Sequence, residues 1–243
     1  MGLPLRQIFM PLLMYILLYA SQATASPEDE LTGLRPPPIG RDWVLTKNDR
    51  TRNIKTYVRL EDGKQSRSFK VETVLDATMQ TLGNVLLDFD NYTKWYWETR
   101  ESRLLQQKSK TEYIVYLVHN APRGLLDRDV ILQCIIEPQT KNKRSLIMKV
   151  VALPDFLPSK PPLIRMPAED INIKITPIAN NKILVEAEGY FDAGGTVPVW
   201  ATNFVQRTAP YTVLRNLQRM LARDEYRNNK QALPFPVYDD SDY

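Results

Sequence analysis

The chain has 243 residues, 32 of them basic and 28 acidic, for a formal charge of +4 at pH 7. That excess is small and scattered, whereas nucleic-acid binders gather Lys and Arg on one face or in runs, so nucleic acid is not expected as a partner. A single cysteine, Cys134, excludes an intrachain disulfide, and a single histidine, His119, excludes a two-histidine relay or a histidine-based metal site.

The N-terminus reads as an export signal. Arg6 supplies a positive start, residues 8 to 20 are apolar, and Ala23-Thr24-Ala25 fits a small-x-small cleavage site, which predicts a mature chain from Ser26. A spanning helix needs about 20 apolar residues, and Pro11 interrupts this shorter run. The reading is therefore a cleaved leader over 1–25, with the mature protein periplasmic or secreted. Residues 26–41, with Pro36-Pro37-Pro38, read as a linker.

Strand signals begin at Trp43. Residues 43–46, 54–60 and 69–74 read as short strands, separated by turn chemistry at Asn48-Asp49 and Glu61-Asp62-Gly63. Asp76 is the expected N-cap of a helix, since Met79, Leu82, Val85, Leu86 and Phe89 follow at helical spacing. An aromatic cluster comes next: Tyr92, Trp95, Tyr96 and Trp97.

Strands are expected again at 103–105, 112–119, 130–137 and 145–153. The stretch 154–168 holds too many prolines for a helix or a central strand. Strands follow at 171–177 and 183–191, joined by an Asn180-Asn181 hairpin. Gly194-Gly195 breaks the pattern. A long helix is predicted from 197 to about 224, roughly 40 Å long, with apolar residues at Val197, Trp200, Phe204, Tyr211, Leu214, Leu217 and Leu221 and a kink at Pro210. The acidic tail over 226–243 is expected to be flexible.

Three strands, a helix, a run of strands and a long helix make an α+β chain with an antiparallel sheet. The last helix is the element long enough to cover its apolar face.

Three segments in this order carry a resemblance. They are Asp90-Asn91-Tyr92-Thr93-Lys94-Trp95, Leu125-Leu126-Asp127-Arg128-Asp129-Val130, and the glycine–proline entry Gly194-Gly195-Thr196-Val197-Pro198-Val199-Trp200-Ala201-Thr202-Asn203. Over residues 42–225 the chain resembles the START (StAR-related lipid transfer) domain, and among its members the signal-bearing START-like proteins of bacteria. This family belongs to the helix-grip fold of the SRPBCC superfamily. The resemblance implies a curved antiparallel β-sheet wrapped around the C-terminal α-helix. It also implies a tunnel that binds a sterol, phospholipid, fatty acyl chain or aromatic polyketide. Such proteins are mostly non-catalytic, need no cofactor or metal, and are expected as monomers that touch membranes transiently.

The expected tunnel lining is Trp200, Phe204, Tyr211 and Leu214 on the helix, with Tyr116, Val118, Leu132, Met148 and Val150 on the strands. From composition alone the same residues read as a solid core; the resemblance implies a cavity instead. Gln133 and Arg165 are the polar residues singled out. In some sterol-binding relatives the position matching Gln133 is basic, whereas here it is a neutral amide. Arg165 is expected at the tunnel mouth, with Arg128 and Asp129 paired at the same rim. The proline loop and residues 120–126 are expected to flank the opening. Glu112, Glu169, Glu186 and Glu188 read as a solvated surface, and Cys134 as a small buried hydrophobe.

No Gly-x-Ser-x-Gly, P-loop or His-Glu-x-x-His motif occurs. The enzyme alternative is a polyketide cyclase/aromatase of the same fold, with Tyr116, His119 and Arg128 as acid–base groups. A ligand-free interaction module is the third reading.

Overall fold

In the computed structural model, residues 42–60 and 68–243 are described. The expected leader, the linker and the Glu61-Asp62-Gly63 turn lie outside them. Ten strands form one sheet: β1 (Val44–Asp49), β2 (Ile54–Arg59), β3 (Ser68–Asp76), β4 (Thr99–Gln107), β5 (Glu112–His119), β6 (Arg128–Glu137), β7 (Leu146–Ala152), β8 (Ile164–Arg165), β9 (Ala168–Ile178) and β10 (Lys182–Asp192). Their order is β1-β2-β3-β10-β9-β7-β6-β5-β4, all antiparallel, while the short β8 pairs in parallel with the start of β6. The β9–β10 hairpin closes where expected. Asn180 and Asn181 take left-handed φ values of 67° and 54°, a region asparagine tolerates better than most residues.

The helix after β3, α1 (Met79–Leu86), is capped by Thr78, whose hydroxyl accepts from the Thr81 N–H at 3.1 Å. The expected cap, Asp76, instead ends β3 and pairs with Lys182 on β10 at 2.7 Å. A 3₁₀ turn over Phe89–Lys94 carries the chain into the aromatic segment. The C-terminal helix α2 (Val199–Leu221) has 23 residues, shorter at both ends than the sequence predicts. Pro198 occupies its N-cap, and a separate turn, α3 (Asp224–Arg227), takes the last residues.

One side of the sheet holds the main core. Leu82 and Val85 of α1 pack there with Trp95, Leu117, Leu132, Met148 and Leu217. Leu214 of α2 packs with Ile54, Val71 and Ala187 from β2, β3 and β10. Ile114, Tyr116, Val118 and Ile131 form a second apolar layer, against Leu153, Leu157 and Leu163. The proline loop therefore covers β5 and β6 from outside.

The tail corrects an expectation of flexibility. Phe235 is buried, and Leu233 and Val237 pack beside it. The Asp239 carboxylate accepts from the Met79 N–H at 2.8 Å, meeting one of the donors that a helix N-terminus leaves open. Gln139 clasps Tyr238 in both directions: its carbonyl accepts from the Tyr238 N–H at 2.9 Å and its amide donates to the Tyr238 carbonyl at 3.0 Å. Acidic composition suggested a solvated tail, but alternate apolar residues tie it down.

Candidate functional site

The cavity lies between the sheet and α2 and has a volume of about 670 Å³. Its sheet wall is Val71 on β3, Ile171 and Ile173 on β9, and Val185 and Ala187 on β10. Its helix wall is Ala201, Val205, Ala209, Val213 and Leu214. These side chains are small where α2 crosses the sheet, and that leaves the space. Trp95, Tyr96 and Trp97 line it as well, as do the segments around Pro122 and around Ala193.

Sequence reasoning favoured the largest apolar residues of the helix, and the structure turns most of them away. Trp200 and Phe204 are 57% and 50% exposed. Tyr211 faces β1, where its hydroxyl donates to Asp49 at 2.8 Å and the Lys47 ammonium sits 3.6 Å from its ring centroid. Leu214 is on the cavity wall. Leu132, Met148 and Val150 belong to the main core, off the cavity wall. Tyr116 and Val118 lie in the outer layer under the proline loop. β5 is buried on both faces, so its sequence has no alternation from which to read the inward side.

The polar expectations change too. Arg128 and Asp129 are neighbours on β6, so their side chains leave opposite faces of the sheet and do not pair. Arg128 points to the cavity, donating from Nε to the Ala193 carbonyl at 3.3 Å and from Nη1 to the Leu126 carbonyl. Asp129, fully buried, pairs with Arg165, which thus fastens the proline loop and is not at the cavity wall. The loop around Pro122 does line the cavity; of the proline stretch, Met166 reaches the cavity wall while Leu157 and Leu163 cover the outer layer. Gln133 donates to Glu112 at 2.6 Å, away from the cavity.

Glu169 is the main residue that sequence reasoning misplaced. It is 5% exposed and lies on the cavity wall. Burial pushes its carboxyl up to about 7, and one hydrogen bond, donated by the Tyr96 hydroxyl at 3.1 Å, works against that rise. The sequence held a signal: Glu169, Ile171, Ile173 and Ile175 alternate along β9 and share one face. Glu186 is paired with Lys174 and Glu188 is exposed, as a solvated surface requires.

His119 also lines the cavity. Its Nδ1 lies 2.8 Å from the Trp97 carbonyl, which only accepts, so Nδ1 carries the proton. Burial lowers its pKa and keeps the ring neutral. Cys134 is buried, and burial raises its thiol to about 12. The acid–base trio Tyr116, His119 and Arg128 is not assembled, because Tyr116 is in the outer layer.

Gln206 stands out on the helix wall. It is 4% exposed, and neither its amide nitrogen nor its amide oxygen has a hydrogen-bond partner among the described residues. A buried polar group left unpaired costs about 1–3 kcal/mol. One turn on, Pro210 has no N–H to give the Gln206 carbonyl.

No family model matches the chain. An uncharacterised protein of Pseudomonas aeruginosa is 23% identical over 186 residues, 76% of this chain and 90% of that one. A STAR-related lipid transfer protein of Xanthomonas axonopodis superposes with a TM-score of 0.68 at 28% identity, over 74% of this chain and 99% of that structure. The chain has the fold of the START domain. Human STARD10 has the same START fold, with a TM-score of 0.66 at 17% identity over 88% of this chain and 90% of that one. The large antiparallel sheet and its few helices are those of this fold.

Proposed function

We propose that this START domain binds a lipid-like apolar ligand in the cavity between the sheet and α2, and transfers it between membranes without catalysing a reaction. The observation that carries the reading is the cavity itself: about 670 Å³ with a mainly aliphatic and aromatic wall, within the range of small-molecule sites. Each buried CH₂ contributes about 0.8 kcal/mol, so a chain of about 14 carbons gains on the order of 11 kcal/mol before ordering costs. The lipid transfer named for the Xanthomonas relative supports the same reading.

In this reading the sheet grips α2, and the helix and the loop around Pro122 move to admit the ligand. Trp200, Phe204 and Leu126 are large exposed apolar residues and suit transient contact with a membrane. The protein acts as an exported monomer, its leader removed after Ala25.

The test is native mass spectrometry of the protein purified from its own compartment, with extraction of whatever it holds. A stoichiometric lipid is expected. A protein that comes out empty and takes up nothing from a broad lipid panel would sink the reading.

A cyclase/aromatase-like enzyme is the second reading, and Glu169 favours it. A carboxyl raised to about 7 on a cavity wall is poised for proton transfer at neutral pH. Turnover of a poly-β-ketone substrate that disappears in Glu169→Gln would move this reading ahead.

A further inference from the structure

We propose that Gln206 forms the polar reading point of the cavity, selecting an uncharged lipid with a hydroxyl over the same lipid without one. This rests on the lipid-binding reading above and names the chemistry of the ligand.

The Gln206 amide presents a donor and an acceptor, both unpartnered among the described residues and both in a wall that is otherwise mostly apolar. An amide NH2 beside an amide oxygen complements a group that both donates and accepts. A hydroxyl does so: it receives the amide N–H and gives its own proton to a carbonyl. A phosphodiester or a carboxylate only accepts, which leaves the amide oxygen unpaired in an apolar wall. An ether accepts without donating and fails in the same way.

The position fits an apolar body with one polar head. Gln206 lies on the cavity side of α2 with Val205 and Ala209. The rings of Trp97 and Phe204, 6.2 Å apart, bring the aromatic segment close to this turn of the helix. A ligand seated with its hydroxyl at Gln206 runs its chain or rings along the aliphatic wall of β9 and β10. Arg128, a cation on the wall, already donates to the Leu126 and Ala193 carbonyls.

The test is equilibrium binding, read by native mass spectrometry, of 1-hexadecanol against its methyl ether and of cholesterol against its methyl ether, each delivered from cyclodextrin. At least one alcohol is expected to bind tenfold or more tightly than its ether, the margin of one buried hydrogen bond left unmade. Whether the chain or the ring pair shows the preference tells which source of hydroxyl the cavity takes. Gln206→Met keeps the volume and removes both polar atoms, so it should bind alcohol and ether alike. Equal binding of alcohol and ether by the unaltered protein overturns the inference with no variant required. So does a preference that survives Gln206→Met, or preferential retention of phosphatidylglycerol in both forms. If no compound binds at all, the failure belongs to the lipid-binding reading.

Discussion

The Arg165 guanidinium forks onto the Asp129 carboxylate, Nε to Oδ1 at 3.0 Å and Nη2 to Oδ2 at 2.9 Å, with Asp129 wholly buried. Its remaining donors reach the Leu157 and Pro158 carbonyls at 2.9 and 3.3 Å, so one side chain fastens the proline loop over β5 and β6. Removing one partner leaves a buried charge uncompensated. Arg165→Met is therefore expected to destabilise the fold by about 3–5 kcal/mol. Asp129→Leu combined with Arg165→Met should cost clearly less than the two single changes summed, as a urea-unfolding double-mutant cycle would reveal.

Glu169 links stability to pH. Its folded pKa is raised from 4.5 to about 7, so the folded state holds this proton more tightly than the unfolded chain. Its contribution is fully present below about pH 4.5 and fades as pH rises towards 7, with a ceiling on the order of 3 kcal/mol. His119, buried and neutral, acts in the opposite sense, since its lowered pKa removes stability as pH falls below its ordinary value of 6.5. Measured from pH 5 to 8, unfolding free energies of Glu169→Gln should lack the fall that the unaltered protein has. Parallel profiles would remove Glu169 from the account.

Ala209 is buried on the cavity side of α2. Ala209→Phe places a ring in the open space rather than in packed core, so lipid stoichiometry should fall at least tenfold while the melting temperature holds or rises. Stability lost together with binding would mean that the helix face is already filled.

Trp200 and Phe204 are exposed on the other side of the same helix. Trp200→Ser with Phe204→Ser should leave equilibrium lipid binding unchanged and slow transfer between vesicles by a factor of about ten. It should shift stability by only about 0.5 kcal/mol, as surface changes usually do. Unchanged transfer would take membrane contact away from this patch.

Phe235 and Asp239 hold the C-terminal segment on α1. Phe235→Ala should cost about 3 kcal/mol by cavity formation, and Asp239→Ala about 1 kcal/mol through the lost cap. Chemical denaturation resolves both.

The α+β composition, the strands over residues 112–119, 130–137 and 183–191, the Asn180-Asn181 hairpin and the helix after Gly194-Gly195 were legible in the sequence by itself. Each rests on local chemistry: side-chain period, left-handed turns, glycine and proline at element ends. The three motifs, in order, carry the resemblance to the START fold.

Only the tertiary structure decided which side chains meet. On β5, apolar residues fill both faces because the proline loop covers the second, so Tyr116 and Val115 look alike in sequence and lie in different layers. On α2, bulk suggested Trp200 and Phe204, but rotation of the helix against the sheet put Ala201, Val205 and Gln206 inside. Arg165 reached Asp129 across 36 positions of sequence. Local spacing fixes the period of a face. Which face is buried, and which charge pairs with which, depends on elements far away in the chain that must cover it.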